Sequence, residues 1–506
     1  MGSENVETQF DTQAVEIHNG VLTVKATIEV RYEMPNQDAD LPQHLEAHIE
    51  TAGQQIKREL FRESIQRADL ELVLEQRFRK QEGRLYRNGS KVYTFKTIFG
   101  TVAVPRIRLR QSVNGKSLLP SADAWQTPQQ VFLTQGLRDA VCDGLLNQTT
   151  SQTLESIEER AGETDLIARS SILKIVHQEG AALQKETEAR AIEIWEKDPA
   201  AASIFQVKAP HLSIVPDLEE IIEVAPDEKL EELEELDFPV GFAGSPTVVE
   251  AIKRDQPRQV DAGWVMVQPD EVKVKAQATT GRKEIWHYTA VVMTSLKSWY
   301  FSAETSAKLW FQVGGLLALL GVHRGDLQLM VLGDGAKWIR NWFEALPIDN
   351  KAMILCWYHL AKRCKQELGS ACHDKAHRLS IQGKLLTQLR TGKIQEAVDS
   401  LSALRGQMRN EDALDTLIDY LDNRRPYLPN YSKRSRAGLW IASNRVEKFN
   451  DWSVAARCKH KGMKWTALGV AALASLEALS RNGELEVWRK TRTLPDWKLE
   501  SFEEAA

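Results

Sequence analysis

The stretch Leu327-Gln-Leu-Met-Val-Leu-Gly333 is an apolar segment that is followed directly by an acid, Asp334. Its composition predicts a β-strand, and residues 336–345 after it have helical spacing. Residues 352–356 form another apolar segment, which predicts a further strand. Strands that alternate with helices are typical of an α/β domain, which is therefore the fold that this stretch predicts.

Residues on both sides of this stretch extend the pattern. Short β-branched segments precede it from Gly263 onwards, and long segments with helical spacing follow it. The expected fold is an α/β core followed by a largely helical region. The additional strands are predicted at 264–268, 271–278 and 287–294, and the additional helices at 303–321, 359–425 and 443–479.

The N-terminal part of the chain is predicted to be mostly helical, with two β-hairpins. An Asn19-Gly20 pair between alternating segments predicts the first hairpin, inside a lead-in of residues 1–40 that is either flexible or β. Residues 91–109 alternate around Gly100 and predict a basic β-hairpin. Helical spacing covers 45–79, 130–146 and 152–161.

The residues after these segments have the outline of a helix-turn-helix. The predicted helix at 152–161 meets Gly162, and a second helix follows over about 169–179. The second helix of such a motif enters the major groove of DNA. Helix pairs joined through glycine are common in other proteins, so the pattern alone leaves both interpretations open. The candidate DNA contacts on the second helix are Lys174, His177 and Gln178.

Length and composition place the chain among globular proteins. Its 506 residues suggest several domains, and 42% hydrophobic with 27% charged residues exclude wholesale disorder. Five scattered cysteines are typical of reduced thiols rather than of a disulfide framework. No apolar run reaches the roughly 18 residues that a membrane span needs, and the first residues lack the features of a signal peptide. We therefore expect a cytoplasmic location without membrane association.

Charge is strongly segregated along the chain, although the net charge is only −5. Residues 77–116 hold eleven Lys and Arg against one acid, and residues 433–464 hold nine against two. Residues 217–237 hold eleven acids against one Lys, which predicts an acidic linker over 206–250. A single basic stretch is compatible with a solvated surface, but two of them favour a polyanion as partner.

Three acids stand where carboxylates could meet in an α/β fold. Asp270 follows the predicted strand at 264–268, and Asp334 follows the strand at 327–333. Glu447 lies in the first turns of a predicted helix. Acids at strand ends are often only polar boundary residues. Mg²⁺, however, prefers carboxylate oxygens, and two such ions can activate a water and stabilise the leaving oxygen in phosphodiester cleavage.

Ordered motifs surround these acids. They are Leu332-Gly-Asp-Gly-Ala-Lys-Trp-Ile339, Ile354-Leu-Cys-Trp-Tyr-His359, and Ser443-Asn-Arg-Val-Glu-Lys448 with a basic continuation from Arg457 to Trp465. Together with the basic hairpin they resemble the DDE transposases with an RNase H-like core, specifically the bacterial insertion-sequence enzymes related to the Mutator group. The motifs are similar to that family's second-acid signature, its Cys/Asp-x-x-His motif and its glutamate helix. The resemblance covers most of residues 90–490.

The resemblance implies an α/β RNase H-like catalytic core with a helical insertion, preceded by a mostly α DNA-binding region with a basic β-hairpin. Gaps of 64 residues between the first two acids and of 113 residues before the third suit such an insertion. The domains it implies are 41–205 for DNA binding, 206–250 for the acidic linker, 251–358 for the first part of the core, 359–430 for the insertion, and 431–506 for the C-terminal helices.

The resemblance also implies the site. Asp270, Asp334 and Glu447 are the expected catalytic residues and the ligands of two Mg²⁺ (or Mn²⁺) ions. Glu271 is a rival for the first position, and Asp261 is a more remote one. The remaining expectations are Cys356 and His359 as the supporting motif, with a purely structural role as the alternative, and Arg106, Arg108, Arg110, Lys174, Arg457, Lys459, Lys461 and Lys464 as DNA contacts.

The function implied is a transposase that binds the terminal inverted repeats of an insertion sequence and catalyses Mg²⁺-dependent strand cleavage and strand transfer. Its expected partner is double-stranded DNA, bound by a homodimer or larger assembly in the bacterial cytoplasm at the nucleoid. The alternatives are a catalytically inactive or domesticated DNA-binding derivative and a resolvase-like nuclease. Two further possibilities are a zinc site among Cys356, His359, Cys364, Cys372, His373 and His377, and base stacking by Trp440 and Trp465.

Overall fold

The structure is a computed structural model of the 506-residue chain. The residues that it describes are 6–18, 21–32, 41–78, 85–110, 117–125, 127, 129–206, 258–261, 263–278, 281–459 and 464–497. The predicted acidic linker at 206–250 lies almost wholly outside these residues, as does Lys461.

The contacts of the chain divide it into two compact units, and the division falls between Glu179 and Gly180. This point lies inside the helix Arg169–Lys197, earlier than the boundary predicted near residue 205. The reason lies in packing: Gly180 has no Cβ, and one added there would lie 2.3 Å from the Cα of Ala472 in the second unit. The later half of this helix therefore belongs to the core that follows it.

The first unit contains the two predicted hairpins. Strands β1 (Val6–His18) and β2 (Val21–Tyr32) pair antiparallel, with His18 opposite Val21. Strands β3 (Tyr86–Thr97) and β4 (Gly100–Arg110) form the basic hairpin in a four-stranded sheet of order β5-β4-β3-β6, where β5 is Ser117–Leu118 and β6 is Val131–Leu133. Its helices are Leu41–Phe78, Pro120–Trp125, Gln135–Asn147, Thr150–Ala161 and the first part of Arg169–Lys197.

The second unit is built on a mixed five-stranded sheet. Its strands are β7 (Trp264–Lys275), β8 (Glu284–Met293), β9 (Ser298–Ala303), β10 (Gln328–Gly333) and β11 (Lys351–Leu355). Their order is β11-β10-β7-β8-β9. Strands β10 and β11 run parallel to each other and to β7, whereas β8 is antiparallel to β7 and to β9. This unit is thus a mixed α/β fold, as the sequence predicts.

Helices cover this sheet and fill the segment predicted as an insertion. Those that accompany the strands are Pro199–Ile204, Ser306–Leu319 and Lys337–Ala345. Those of the insertion segment are Trp357–Ala371, Lys375–Arg390, Ile394–Ser402 and Glu411–Asn423, and those after it are Tyr431–Arg436, Asn444–Asn450, Ala456–Cys458, Ala467–Arg481 and Leu485–Thr491, with a π-helical turn at Asp451–Ala455.

Alternate residues of the central strands enter two different cores. Val267 and Val331 pack with the helices on one face, whereas Met266 and Met330 pack with the insertion on the other. Successive residues of a strand point to opposite faces, so a strand that is apolar at every position is buried on both. Among the described residues, no helix combines the length and the apolar composition that a membrane crossing would require.

Candidate functional site

Two of the predicted acids lie at the same edge of the sheet. Strands β7 and β10 pair in register from Trp264–Gln328 to Val267–Val331, and Asp334 follows β10 directly. A Cβ built on Gly333 would lie 3.5 Å from the carbonyl oxygen of Pro269, so the residues just before Asp270 and Asp334 are neighbours. Both carboxylates are half-buried.

The strand that carries Asp270 is longer than predicted. The sequence places Asp270 after a strand at 264–268 and starts a new strand at 271, but β7 runs unbroken over Trp264–Lys275. Its first half pairs with β10, and its second half pairs only with β8, where Asp270 faces Thr289. Asp270 therefore marks the end of the parallel pairing rather than the end of the strand.

The backbone after Asp334 turns sharply. Asp334 Oδ1 accepts a hydrogen bond of 2.8 Å from the backbone N–H of Ala336, which holds the carboxylate at the turn. Gly335 adopts a positive φ of 76°. A Cβ at this glycine would lie 2.9 Å from Leu355 Cδ1, so both the backbone conformation and the packing require glycine here.

Glu447 is placed by polar residues from the strand and from its own helix. The helix Asn444–Asn450 begins against Gln268, whose Oε1 accepts from the backbone N–H groups of Arg445 at 3.2 Å and Val446 at 3.4 Å. Ser443 Oγ donates to Glu447 Oε1 at 2.9 Å. The fully buried Gln268 therefore satisfies free N–H groups at the helix start and fixes the carboxylate above the sheet.

The same helix holds Asp270. Asn450 Nδ2 donates to Asp270 Oδ2 at 2.7 Å, and Asn450 Oδ1 accepts from Thr289 Oγ1 at 2.6 Å. Asn450 lies three residues after Glu447, so the two side chains share one face of the helix. One helix thus supplies both an acid and the residue that orients another acid.

The acids act on one another electrostatically. Burial raises the pKa of Asp270 to about 7, and the negative charges of Asp334 and Glu447 contribute to this rise. The nearby imidazolium of His359 acts in the opposite direction. A carboxylate whose pKa is raised by burial and by neighbouring acids is typical of functional sites.

Cys356 and His359 lie beside Glu447. Cys356 follows β11, is fully buried, and its Sγ accepts from the backbone N–H of Ser443 at 3.4 Å. His359 Nδ1 is 3.7 Å from Glu447 Oε1. Burial alone would lower the pKa of His359, but the thiolate of Cys356 and the carboxylates of Glu447 and Asp334 outweigh it and raise this pKa to about 9. The imidazolium is therefore a local positive charge among acids.

Within the described part of the chain, the cluster whose ligand atoms all lie within 4.8 Å of one another is Cys356, His359 and Glu447. The six-residue zinc site considered from the sequence is not assembled, because Cys364 and Cys372 are buried in the hydrophobic core instead. The donor chemistry separates two sets: carboxylate oxygens suit Mg²⁺ or Mn²⁺, whereas a thiolate and an imidazole suit softer ions. Asp270, Asp334 and Glu447 offer the oxygen ligands that Mg²⁺ prefers. Among the described residues, however, these three acids do not form a group whose ligand atoms all lie within 4.8 Å of one another.

The two rivals for the first acid lie elsewhere. Glu271 follows Asp270 on β7, so its side chain points to the opposite face of the sheet. Burial and the charge of Asp334 raise the pKa of Glu271. The charge of Asp261 partly offsets the lowering of the Arg434 pKa by burial. Of the three candidates for the first acid, Asp270 is the one that accepts a hydrogen bond from the helix of Glu447, through Asn450.

The predicted DNA contact Arg106 is wrong, because its side chain is inside the first unit. It has no exposed surface. Its guanidinium donates to Ser121 Oγ at 2.7 and 2.9 Å and to Thr127 Oγ1 at 2.9 Å, and lies 4.9 Å from the ring centroid of Tyr93. Such a buried arginine with satisfied donors is a structural residue. Arg108 and Arg110 of the same strand are half-buried.

The helix-turn-helix outline is confirmed as a helix pair, with Thr150–Ala161 ending at Gly162 and a second helix from Arg169. Its proposed reading face is only partly available. Gln178 is buried and accepts from Arg138 Nη2, so its assignment as a DNA contact is wrong. Lys174 and His177 are half-buried.

The basic residues after Glu447 are distributed around the turn that follows its helix. Lys459 and Lys464 are exposed, and Arg457 is half-buried, with a pKa lowered by burial. Lys461 lies outside the described residues. Trp440 is 9% exposed and packs in the hydrophobic core, so base stacking by this residue is contradicted, whereas Trp465 is half-buried.

Sequence reasoning missed Asn450 and Gln268, which position Asp270 and the Glu447 helix. Each carries a signal: Gln268 interrupts an apolar strand, and Asn450 lies one helical turn after Glu447. Comparison with protein-family models finds no match for this chain. Comparison with curated proteins likewise finds no relative.

Proposed function

We propose that this protein is a metal-dependent DNA transposase of the DDE type, which cleaves strands at the ends of an insertion sequence and transfers them to target DNA. The observation that carries the proposal is that Asp270 lies near both Asp334 and the helix of Glu447. Asp270 lies on β7, and Asp334 directly follows β10, the strand that pairs with β7. Asn450, on the helix that carries Glu447, donates a hydrogen bond to Asp270. This arrangement suits an ion-dependent phosphodiester reaction.

The architecture of the second unit also supports the proposal. Three antiparallel strands, β7 to β9, are followed by two strands that run parallel to β7, and helices cover both faces. This arrangement is compatible with an RNase H-like core. The four helices between His359 and Asn423 occupy the segment expected for the insertion.

The proposed roles follow from the geometry. Asp270, Asp334 and Glu447 would hold the Mg²⁺ or Mn²⁺ pair, which would lower the pKa of an attacking water and stabilise the departing oxygen. Asn450 keeps Asp270 in position through its hydrogen bond of 2.7 Å. His359 offsets part of the negative charge, and the buried Cys356 holds the imidazolium in place.

Two displacements at phosphorus account for the reaction. In the first, the oxygen of water bonds to the phosphorus, and the bond to the 3′ oxygen breaks, so that the strand ends in a 3′-hydroxyl. In the second, that hydroxyl attacks a phosphodiester of the target and displaces its 3′ oxygen. Only the nucleophile changes, so one set of carboxylates serves both steps without a covalent protein–DNA intermediate.

In this proposal the partner is double-stranded DNA, held at the element ends by the first unit. Arg108, Arg110 and Lys174 are the contacts proposed there, and Arg457, Lys459 and Lys464 are those proposed near the acids. Phosphate contacts of this type make affinity fall as salt rises. Two element ends must be paired, so we propose a homodimer or larger assembly on DNA in the bacterial cytoplasm.

The test is strand cleavage by Asp334→Asn. Purified protein is incubated with Mg²⁺ and a duplex that carries the flanks of its reading frame, and nicks and strand-transfer products are resolved on a denaturing gel. We expect Asp334→Asn to lose cleavage while binding the duplex nearly as the wild type does. Asp326→Asn, an exposed acid before β10, is the matched control and should cleave normally. Wild-type cleavage that persists in Asp334→Asn would refute the role of this acid.

A further inference from the structure

A polar cleft of about 390 Å³ opens beside Asp334. One wall is the turn after β10, and the other is built by the insertion helices Trp357–Ala371 and Glu411–Asn423. Its volume falls in the range of about 300–1,000 Å³ that is usual for ligand sites. Its lining includes Asp334, Gly335, Lys362, Arg363, Tyr420 and Arg424.

Two arginines line the insertion side of this cleft, and Arg363 Nη2 pairs with Glu367 Oε1 at 2.8 Å. The guanidinium of Arg424 lies 4.3 Å from the ring centroid of Tyr420, and that of Arg363 lies 5.7 Å from it. The Nε–H groups of both arginines are buried and, within the described residues, donate no hydrogen bond. In the same part of the chain, no carboxylate forms an ion pair with Arg424. The ring thus holds two guanidinium groups in place and leaves donors available.

The cations repel one another. Burial lowers the pKa of Arg424, and the charges of Arg340 and Arg363 lower it further, while Asp334 acts in the opposite direction. Arg340 is held at this place because its Nε donates to the backbone oxygen of Gly335 at 3.2 Å. Like charges that are held together raise the free energy of the empty cleft, and an anion bound there would relieve the repulsion.

Gly335 keeps the cleft open toward the acids. A Cβ at this position would approach Arg424 Nε to 3.6 Å. The shortest path from the cations to Asp334 therefore passes over a residue without a side chain. The anionic group of a ligand in the cleft would contact the arginines, and the adjoining part of the same ligand would reach the carboxylates.

We propose that Arg363, Arg424 and Lys362 bind a phosphodiester of the cleaved DNA strand, next to the phosphodiester that reacts. The insertion would thereby position this strand at the acids. This inference rests on the proposed function for its ligand. Guanidinium groups donate paired, charge-assisted hydrogen bonds to phosphate oxygens, which makes arginine well suited to this contact. The exposed Lys362 adds a mobile positive charge at the rim.

The experiment measures binding of a 5′-phosphorylated dinucleotide to the full-length protein by titration calorimetry. We expect the wild type to bind, and Arg424→Gln and Arg363→Gln each to bind about 10-fold or more weakly, since each removes hydrogen bonds to a charged group. Arg424→Lys should recover part of the affinity. Arg405→Gln is the matched control, because Arg405 is an exposed arginine of the same insertion that pairs with Asp415 at 2.8 Å.

Each outcome of this titration either supports or overturns the phosphate site. Absent binding by the wild type, or equal affinity in Arg424→Gln, Arg363→Gln and Arg405→Gln, would overturn the proposal. Circular dichroism of each variant checks folding, and two separate arginine variants keep the test valid if one of them unfolds. Dinucleotide binding without any Mg²⁺-dependent cleavage of DNA would refute the proposed function and leave the phosphate site standing. Cleavage with unaltered binding by both glutamine variants would refute the phosphate site alone.

Discussion

Charged side chains are handled in opposite ways in the two units. In the first unit, Arg106 is fully buried, and its guanidinium finds hydroxyl and carbonyl oxygens, an aromatic ring and the charge of Asp69. In the second unit, Asp270 and Asp334 are half-buried, and the charge of Asp334 contributes to the raised pKa of Asp270. Both regions hold charged groups inside the fold. Only the charge of Arg106 is balanced by partners within the protein.

The difference separates structural charge from charge that is held for a ligand. A buried cation with partners stabilises the packing around it and has little capacity left for DNA. Like charges that lie together lower the stability of the fold and are retained where a counter-ion binds. The predictions below test this division by removing charges or their partners from each region.

The largest effect is expected in the first unit, from Arg106→Met. Loss of this guanidinium removes the donors to Ser121 and Thr127 and the counter-charge of the buried Asp69, so we expect the unit to lose about 3–5 kcal/mol of stability. Arg108→Met, two residues further along the same strand, should change stability by less than about 1 kcal/mol and weaken DNA binding instead. Urea unfolding and a DNA titration distinguish them. Equal stability losses in both variants would contradict the division.

A smaller effect is expected in the second unit, from Asn450→Ala. The variant removes the hydrogen bond that orients Asp270, so we expect metal-dependent cleavage to fall by about 10–100-fold, and more Mg²⁺ to be needed for the half-maximal rate. Asn482→Ala is the control. Asn482 also makes two hydrogen bonds, both to the backbone of Tyr300 and away from the acids. If both variants require the same Mg²⁺ concentration as the wild type, Asn450 has no role in positioning.

The effect that is smallest at neutral pH concerns a buried group outside both charge clusters. Burial lowers the pKa of His287 to about 3, and its exposed fraction is 1%. The folded protein therefore binds this proton less readily than the unfolded chain, so stability is complete above about pH 6.5 and falls toward pH 3, with a slope of up to about 1.4 kcal/mol per pH unit. His287→Leu should flatten this acid limb in thermal melts recorded between pH 4 and 7. An unchanged limb would show that other groups set it.

Much of the fold could be predicted from sequence because apolar period and turn residues are local signals. The strand before Asp334 and the start of the helix at Arg169 lie within a residue of their predicted places. The basic hairpin turns before Gly100 as predicted, although its first strand begins five residues earlier and the helix runs on to Lys197. Asp334 and Glu447 could be identified from the sequence for the same reason, since one follows a strand and the other lies at the start of a helix, whereas Asp270 lies inside β7. The burial of both faces of β7 and β10 likewise follows from their apolar composition.

The failures concern polar residues whose surroundings come from distant parts of the chain. Arg106 is buried by Ser121 and Thr127, and Gln178 is buried by Arg138, which no local pattern indicates. The hydrogen bond from Asn450 to Asp270 joins residues that are 180 positions apart. Composition identifies a charged residue, but only tertiary contacts decide whether its charge is already satisfied.

The most direct test of the shared carboxylate site is a Mn²⁺ titration of the full-length protein, followed by electron paramagnetic resonance of the free ion. Mn²⁺ accepts the same oxygen ligands as Mg²⁺, and the spectrum gives the concentration of unbound Mn²⁺. We predict that the wild type binds Mn²⁺ and that Asp270→Asn, Asp334→Asn and Glu447→Gln each weaken this binding, whereas Asp326→Asn does not. Mn²⁺ affinity that is the same in the wild type and in all three site variants would contradict the claim that these acids form one metal site.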